Sequence, residues 1–295
     1  MHLLLQQILS GIASGSLFAM LALAIVLIYR STGVLNLAQG EIAMFTTFIT
    51  WSLLEAQISF WLAVGLTLVA AAILGGLIEW LVLRRVEHSS RLHQILVTVG
   101  LFTLFNGLAL WIWGAEPRGF GPFSIFKGDP LCVDTFCISR LDLGTLLTAM
   151  LVMTLLFVIF RCTNLGLAMR ATAQNRLASL LVGIPVHRML TTGWALATMV
   201  GALAGILAAQ SLGLDTNTMS TLVLFAFTSA ILGGIENPFG AVLGGLLVGV
   251  LKNLAGTYAP GALGNIDLTL AFALIVLMLM VRPAGLLGRR VVGRV

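Results

Sequence analysis

Long apolar stretches alternate with short polar connections along the whole chain. Each stretch approaches the roughly 20 residues that an α-helix needs to cross about 30 Å of hydrocarbon. The pattern predicts transmembrane helices near residues 4–29, 37–55, 60–83, 93–113, 142–160, 189–210, 221–235, 240–256 and 267–281. We therefore expect one membrane domain over residues 1–295, an all-α polytopic bundle of eight or nine spans, some of them short or discontinuous.

Composition supports a membrane location and excludes several kinds of function. Hydrophobic residues make up 59% of the chain and charged residues 9%, against about 25% charged residues in an ordinary soluble domain. The net charge of +5 comes from basic residues that flank apolar stretches, so nucleic acid is not an expected partner. No GxxxxGK[ST], HExxH or GxSxG motif occurs, and the four histidines are scattered. We expect no catalytic residue, no metal site and no cofactor.

The distribution of Lys and Arg predicts how the chain is oriented. With an external N-terminus and nine crossings, twelve basic residues lie on the inner side, where positive charge accumulates. They are Arg30, Arg84, Arg85, Arg91, Arg161, Arg170, Arg176, Arg188, Arg282, Arg289, Arg290 and Arg294, while only Arg118, Lys127, Arg140 and Lys252 lie outside or near it. This predicts a cytoplasmic C-terminus, a cytoplasmic connection over about 161–188 and an external loop over about 114–141.

The predicted external loop contains Cys132 and Cys137. Disulfides persist in oxidising compartments outside the cytoplasm. Spacing alone does not establish the geometry of a disulfide. A Cys132–Cys137 bond and two unpaired thiols therefore both stay open.

The first polar interruption of the apolar pattern is GVLNLAQGE, residues 33–41, which contains Asn36, Gln39 and Glu41. A carboxylate at the centre of a membrane helix costs about 2.5–3.5 kcal/mol on insertion scales, so Glu41 is expected to face protein, a water-filled cavity or the inner interface. The alternative is a cytoplasmic turn in which Glu41 caps the next helix, favoured by the helix dipole.

The second interruption is ILGGIENPFGAVLGG, residues 231–245, where glycines, a proline and the pair Glu236–Asn237 break an apolar run. Paired interruptions in the two halves of a chain indicate a transport pathway built from discontinuous helices. The alternative for residues 235–239 is a tight cytoplasmic hairpin. The candidate pathway residues are Asn36, Gln39, Glu41, Asn106 and Asn237, each of which is equally suited to bridging two helices.

Glycines at four-residue spacing predict close packing between helices. The pairs are Gly11 with Gly15, Gly201 with Gly205, Gly240 with Gly244, and Gly245 with Gly249.

The connection over residues 161–188 is polar but keeps helical apolar spacing, with Leu177, Leu180 and Leu181 on one face. Asn164 is expected to cap a short amphipathic helix that Gly183 and Pro185 end. Such a helix either rests on the bilayer surface or docks in a groove of a cytoplasmic partner.

Taken together, these segments resemble the permease family of branched-chain amino-acid ABC importers, the LivH type, whose relatives also carry urea and amides. The resemblance is carried by GIASGSLFAMLALAIVLIYRSTGVLNLAQGE, RATAQNRLASLLVGIPVHRM, ILGGIENPFGAVLGGLLVGVL and VRPAGLLG. It implies an ATPase-coupling loop that includes Arg170, Ala178, Gly183 and Pro185. Gln39 stands where many family members have His, so the resemblance assigns no titrating group there.

The resemblance further implies a multi-pass subunit of the bacterial inner membrane that makes and breaks no bonds itself. Its expected partners are the lipid bilayer, a second homologous permease, two cytoplasmic ATPase subunits and a periplasmic solute-binding protein. The solute class would be branched-chain amino acids or similar small polar solutes. A stand-alone secondary transporter or channel is the alternative that the apolar pattern also allows.

Overall fold

The computed structural model of the chain describes residues 2–87, 89–120, 126, 131–133, 136–258, 266–282 and 284–288. Over these residues it consists of helices and one short hairpin, which confirms the predicted all-α polytopic class. The basic residues Lys127, Arg289, Arg290 and Arg294, used above to predict orientation, lie outside the described residues.

Eleven α-helices follow one another in the described part of the chain. They are α1 (His2–Thr32), α2 (Gln39–Glu55), α3 (Phe60–Leu81), α4 (Arg91–Trp113), α5 (Arg140–Cys162), α6 (Asn164–Gln174), α7 (Arg176–Leu181), α8 (Val186–Leu212), α9 (Thr218–Gly233), α10 (Pro238–Tyr258) and α11 (Ile266–Val281). A 3₁₀ turn, Leu83–Arg85, follows α3, and strands β1 (Leu131–Val133) and β2 (Phe136–Ile138) pair antiparallel.

A helix occupies each of the nine predicted positions, with ends that differ by a few residues. Among the described residues, six helices are long and apolar enough to cross a membrane: α1, α3, α4, α5, α8 and α10. Helices α9 and α11 are shorter apolar helices, and α2 has 17 residues with a polar first turn. The prediction of eight or nine spans is consistent with this set.

The 161–188 connection differs from its prediction because it forms two helices instead of one. Thr163, not Asn164, caps α6, since its hydroxyl accepts the Gly166 N–H at 3.1 Å. Asn175 then adopts an extended conformation and its side chain accepts the Ala178 N–H at 3.0 Å, which starts α7. Asn favours such caps because its side chain competes with the backbone for hydrogen bonds.

Two compact units make up the chain. Unit 1 comprises Met1–Val26, Phe126–Ala149 and Thr221–Val295, and unit 2 comprises Leu27–Ile125 and Met150–Ser220. The single membrane domain expected for residues 1–295 stays a prediction.

In unit 1, α1 and α10 pack closely at the predicted glycines. A methyl group at Gly11 would lie 2.7 Å from Cα of Val250, and one at Gly15 would lie 2.8 Å from the carbonyl oxygen of Gly245. The Phe18 ring stacks on the Phe225 ring of α9, with centroids 4.9 Å apart. The predicted role of these glycines in helix packing is confirmed.

In unit 2, α8 packs against both α2 and α3. A methyl group at Gly205 of α8 would lie 3.0 Å from the Ala43 carbonyl oxygen of α2. The Thr198 hydroxyl donates to the Ala71 carbonyl of α3 at 2.7 Å. The Trp194 side chain is completely buried in the same unit, so α8 forms the centre of the unit 2 core.

The outward faces of several long helices are apolar and uncovered. Trp61 of α3 is 71% exposed and Trp111 of α4 is 83% exposed, and leucines and valines on the same helices are also exposed. Apolar faces of this extent are typical of proteins surrounded by lipid. Together with the length of the helices, they make this a multi-pass membrane protein.

Candidate functional site

Four of the five candidate pathway residues lie together in unit 2. Asn36 lies in the non-helical connection between α1 and α2, Gln39 and Glu41 begin α2, and Asn106 lies on α4. Asn36, Gln39 and Glu41 are completely buried. We call these four residues the buried polar cluster.

The first half of the buried polar cluster joins the α1–α2 connection to α8. The Asn36 side chain accepts the Ala38 N–H through its oxygen and donates through its amide nitrogen to Gln39 Oε1, each at 3.1 Å. Gln39 Nε2 then donates to the Ala197 carbonyl of α8 at 3.1 Å. Buried non-helical backbone requires such partners, so this chain of amides holds the connection in place.

The second half joins α2 to α4. Asn106 Nδ2 donates to Glu41 Oε2 at 3.2 Å and lies 3.4 Å from the Thr216 carbonyl oxygen. Glu41 Oε1 is buried and has no hydrogen-bond partner in the described part of the chain. The carboxylate points to another helix and not to the N–H groups of its own first turn, so its contacts differ from those of a helix cap.

The chemistry of this half of the cluster is that of an acceptor. An ionised carboxylate only accepts hydrogen bonds, and Glu41 forms no ion pair with a described residue. One carboxylate oxygen, Oε1, is therefore enclosed by the protein without a donor among the described residues.

Buried threonines also occur on α2, α3 and α8 of the same unit. Thr50 donates to the Thr67 hydroxyl at 2.9 Å, which joins α2 to α3. The Thr46 and Thr47 hydroxyls return to carbonyls of their own helix. These bonds satisfy buried hydroxyls within the protein, so we assign these threonines to helix packing.

Asn237, the fifth candidate, lies in unit 1. Its oxygen accepts the Phe239 N–H at 3.1 Å, and its amide donates to the Leu287 carbonyl at 3.0 Å. Pro238 follows it as the first residue of α10, a position where proline is favoured because it lacks the N–H. The contacts of Asn237 are those of a helix cap that also holds the segment after α11.

Sequence analysis missed Glu79, a single acid in the apolar run of α3. Its side chain is 2% exposed, and its Oε2 accepts the Thr191 hydroxyl of α8 at 2.5 Å. It borders a cavity of about 260 Å³ whose lining also includes Thr32, Val34, Glu87, Gln94 and Arg176. The available signal was the isolated acid itself, since an ionisable residue in a membrane span indicates a functional site.

The second missed feature is the environment of Arg176, the first residue of α7. Its guanidinium donates to Glu87 Oε1 at 2.5 Å and to the Ser31 and Thr32 carbonyls at 2.9 and 3.2 Å. Glu87 stands out in the sequence as an acid within the basic connection RRVEHSSR. That contrast was the signal for a basic partner.

The apolar face of α7 is uncovered in the described structure. Leu177 is 75%, Leu181 89% and Val182 81% exposed. The buried side of the preceding helix α6 consists of Gly166, Met169 and Thr172. The predicted leucine face is therefore present and points away from the unit.

The residues predicted for coupling have different environments. Arg170 is partly buried and its Nε lies 3.4 Å from the Gly166 carbonyl oxygen, within its own helix. Ala178, Gly183 and Pro185 are exposed, and Gly183 has a φ of +85°. Only glycine adopts this conformation without strain, so Gly183 turns the chain between α7 and α8.

The backbone register brings the two loop cysteines opposite each other. Cys132 on β1 pairs with Cys137 on β2, and directly opposed antiparallel residues have Cα atoms about 4.5–5.5 Å apart. Disulfides span Cα separations of about 4.4–6.8 Å. The side chains of both cysteines lie outside the described residues, so the disulfide stays a prediction.

Apolar helices that enclose buried amides and a carboxylate define a polytopic α-helical membrane protein of the kind that moves polar solutes. The family model described as "Branched-chain amino acid transport system / permease component" matches residues 7–281. The chain belongs to this family of permease components, and it is a transport subunit and not an enzyme.

Curated relatives resemble the chain over nearly its whole length. The high-affinity branched-chain amino acid transport system permease protein LivH of Escherichia coli (strain K12) is 28% identical over 305 residues, covering 99% of this chain and 97% of LivH. BraD, a permease protein of the same description from Pseudomonas aeruginosa, is 26% identical and covers 99% and 98%. A probable LivH of Methanocaldococcus jannaschii is 26% identical and covers 96% and 92%.

Proposed function

We propose that this chain is the membrane permease subunit of an ATP-binding-cassette importer that moves branched-chain amino acids or similar small polar solutes inward. The observation that carries the proposal is the family match through residues 7–281, together with relatives that align over nearly their full length. Those relatives are named as permease proteins of transport systems, which favours a subunit of a complex over a stand-alone carrier or channel.

The proposed partners are inferred from the absence of a P-loop motif in the sequence and from the exposed apolar face of α7. It contains no P-loop, so it cannot hold nucleotide phosphates in that manner. In this proposal two cytoplasmic ATPase subunits supply the energy, and one of them covers the Leu177, Leu181 and Val182 face of α7. A second homologous permease completes the pathway, and a periplasmic binding protein delivers the solute.

The proposed location is the bacterial inner membrane, with the C-terminus and the 161–188 connection in the cytoplasm and the 114–141 loop in the periplasm. The distribution of basic residues supports this orientation. The 161–188 connection contains four arginines, and their transfer across the membrane would be costly. They are Arg161, Arg170, Arg176 and Arg188.

The buried polar cluster is the proposed polar lining on the side of unit 2. Its acceptor without a described partner, Glu41 Oε1, is enclosed in this conformation. In the proposal, the ammonium or N–H group of a small solute reaches it only when the surrounding helices move apart. The neighbouring amides of Asn36 and Gln39 are already paired, so we assign them to holding the α1–α2 connection.

The test is isolation of the chain from its native membrane in mild detergent, followed by identification of the proteins that accompany it. A P-loop ATPase and a second permease are expected. The reconstituted complex, supplied with binding protein, should take up radiolabelled leucine, or a solute from a panel that includes isoleucine, valine and urea, only with ATP. Transport by the chain alone without ATP would overturn the proposal in favour of a carrier or channel.

A further inference from the structure

Arg176 joins three separate parts of unit 2. It belongs to α7, it forms an ion pair with Glu87 in the connection between α3 and α4, and it donates to the last carbonyls of α1, those of Ser31 and Thr32. A guanidinium has five N–H donors in a fixed planar arrangement. One rigid group therefore fixes the relative positions of these three parts.

Glu87 adds a fourth part to this set, because it also lies near the start of α8. Its Oε1 accepts from Arg176, and its Oε2 lies 3.8 Å from His187 Nδ1 at the start of α8. Only 15% of the Glu87 side chain is exposed, against 34% for Arg176. This carboxylate therefore lies beside both α7 and the beginning of α8.

The contact at the end of α1 leads directly to the buried polar cluster. Thr32 Oγ1 accepts the Val34 N–H at 3.3 Å, and the chain then passes through Gly33, with φ +76°, to Asn36. Asn36 is hydrogen-bonded to Gln39, which is bonded to the Ala197 carbonyl. A shift of the last turn of α1 would therefore change the position of these amides.

Helix α7 also carries the exposed leucine face. Helix α7 is only six residues long and is capped by Asn175, so Leu177 and Leu181 cannot shift far without moving Arg176. A partner that pushes or pulls on this face would displace the guanidinium as well.

We propose that Arg176, paired with Glu87, is the positioning residue that transmits movement of α7 to the end of α1 and so to the Asn36–Gln39 amides. This inference rests on the proposed function, because it supposes that a partner moves α7. It differs from the expectation for Arg170, whose guanidinium makes its hydrogen bond within α6.

The test compares variants of the intact complex reconstituted in liposomes, using the solute identified by the test of function. Arg176→Gln and Glu87→Gln should each lower uptake per ATP hydrolysed by at least about fivefold, the lower range of typical coupling between sites. The double variant should be no worse than Arg176→Gln alone, since the arginine substitution already removes the contact with Glu87. Arg176→Lys should retain more uptake per ATP hydrolysed than Arg176→Gln, because it keeps the positive charge. Arg85→Gln is the matched control, because Arg85 is an exposed arginine in the same α3–α4 connection as Glu87 and should leave the ratio unchanged.

Hydrogen exchange on the purified complexes gives a second measurement that needs no transport. Amides of residues 33–38 should exchange faster in Arg176→Gln and Glu87→Gln than in the unaltered chain or in Arg85→Gln. If the unaltered complex transports with ATP but the Arg176 variants keep its uptake per ATP, the inference is wrong and the proposed function stands. If the unaltered complex fails to transport, the proposed function is wrong, and equal exchange in all variants then overturns the positioning role too.

Discussion

At the scale of single residues, Glu41 is the least expected feature of the molecule. Its side chain is fully buried, Asn106 supplies one hydrogen bond, and Oε1 has no partner among the described residues. A buried carboxylate that lacks a full set of partners lowers stability. A stability cost at a position within the candidate pathway is consistent with a functional role.

Replacement of Glu41 by Gln separates the effect of this carboxylate on stability from its effect on transport. The amide keeps the size of the side chain and one acceptor for Asn106, but it replaces Oε1, which has no described partner, with an N–H donor. We expect the melting temperature of the purified complex to stay equal or rise, because a buried amide costs less than a carboxylate. Uptake should fall about tenfold, which corresponds to loss of roughly 1.4 kcal/mol.

The control is Glu55→Gln, the same change at the exposed end of the same helix. It should leave both melting temperature and uptake unchanged. Normal uptake by the Glu41 variant would assign this carboxylate to structure alone.

At the scale of helices, close packing between α2 and α8 depends on residues without side chains. A methyl group at Gly201 would lie 2.6 Å from Gln39 Nε2. Gln39 would have to withdraw from the Ala197 carbonyl, which it now binds at 3.1 Å. The absence of a side chain at Gly201 therefore allows both the close approach of the two helices and the hydrogen bond from Gln39.

Gly201→Ala should therefore destabilise the protein by about 1–3 kcal/mol, the usual cost of overpacking a core. Gly65→Ala is the matched control on α3, where nothing lies within 4 Å of the added methyl group. That change should be neutral or stabilising by up to about 1 kcal/mol, because Ala favours helix more than Gly does. Thermal unfolding in detergent measures both, and equal melting temperatures would contradict the packing argument.

The turn between α7 and α8 is the second feature at this scale. Gly183 has a positive φ, and a side chain there would meet open space. A substitution acts only through backbone strain, about 1–3 kcal/mol for an unsuitable residue. Gly183→Val should change the direction of α7 and lower uptake per ATP while the complex still assembles.

Asn adopts positive φ more readily than other non-glycine residues, so Gly183→Asn should keep most of the activity. Uptake and ATP hydrolysis, measured side by side on both variants, decide the matter. Equal activity of the Val and Asn variants would show that the conformation at Gly183 is unimportant for coupling.

At the scale of the whole molecule, the helices were predictable and their pairings were not. Apolar runs near 20 residues are a local signal, and Asn36, Gln39, Glu41 and Asn106 stood out because they interrupt such runs. The bond from Gln39 to Ala197 joins residues 158 apart in sequence, so no local pattern could indicate it.

Arg170 and Arg176 also differ in tertiary contacts that no local sequence pattern indicates. Arg170 and Arg176 look alike in the sequence, but the helix break at Asn175 places only Arg176 against Glu87. Glu79 was overlooked because a single acid scarcely changes the apolar character of α3. In each case the missing information was the tertiary partner.

The bond between Gln39 and Ala197 also has a consequence for how the protein is made. Helix α2 is short and begins with polar residues, and its partner α8 leaves the ribosome about 158 residues later. At roughly 5–20 residues per second, α2 waits about 8–30 s for that partner.

Labelling of nascent chains tests this order of events. In a chain without its native cysteines, the cysteine of Thr50→Cys should react with a water-soluble maleimide when the nascent chain ends before residue 186. It should be protected in chains that extend well past residue 212, and protection in the shorter chains would show that α2 inserts unaided. Insertion of this membrane protein is therefore expected to proceed out of sequence order, with an early helix completed only by a late one.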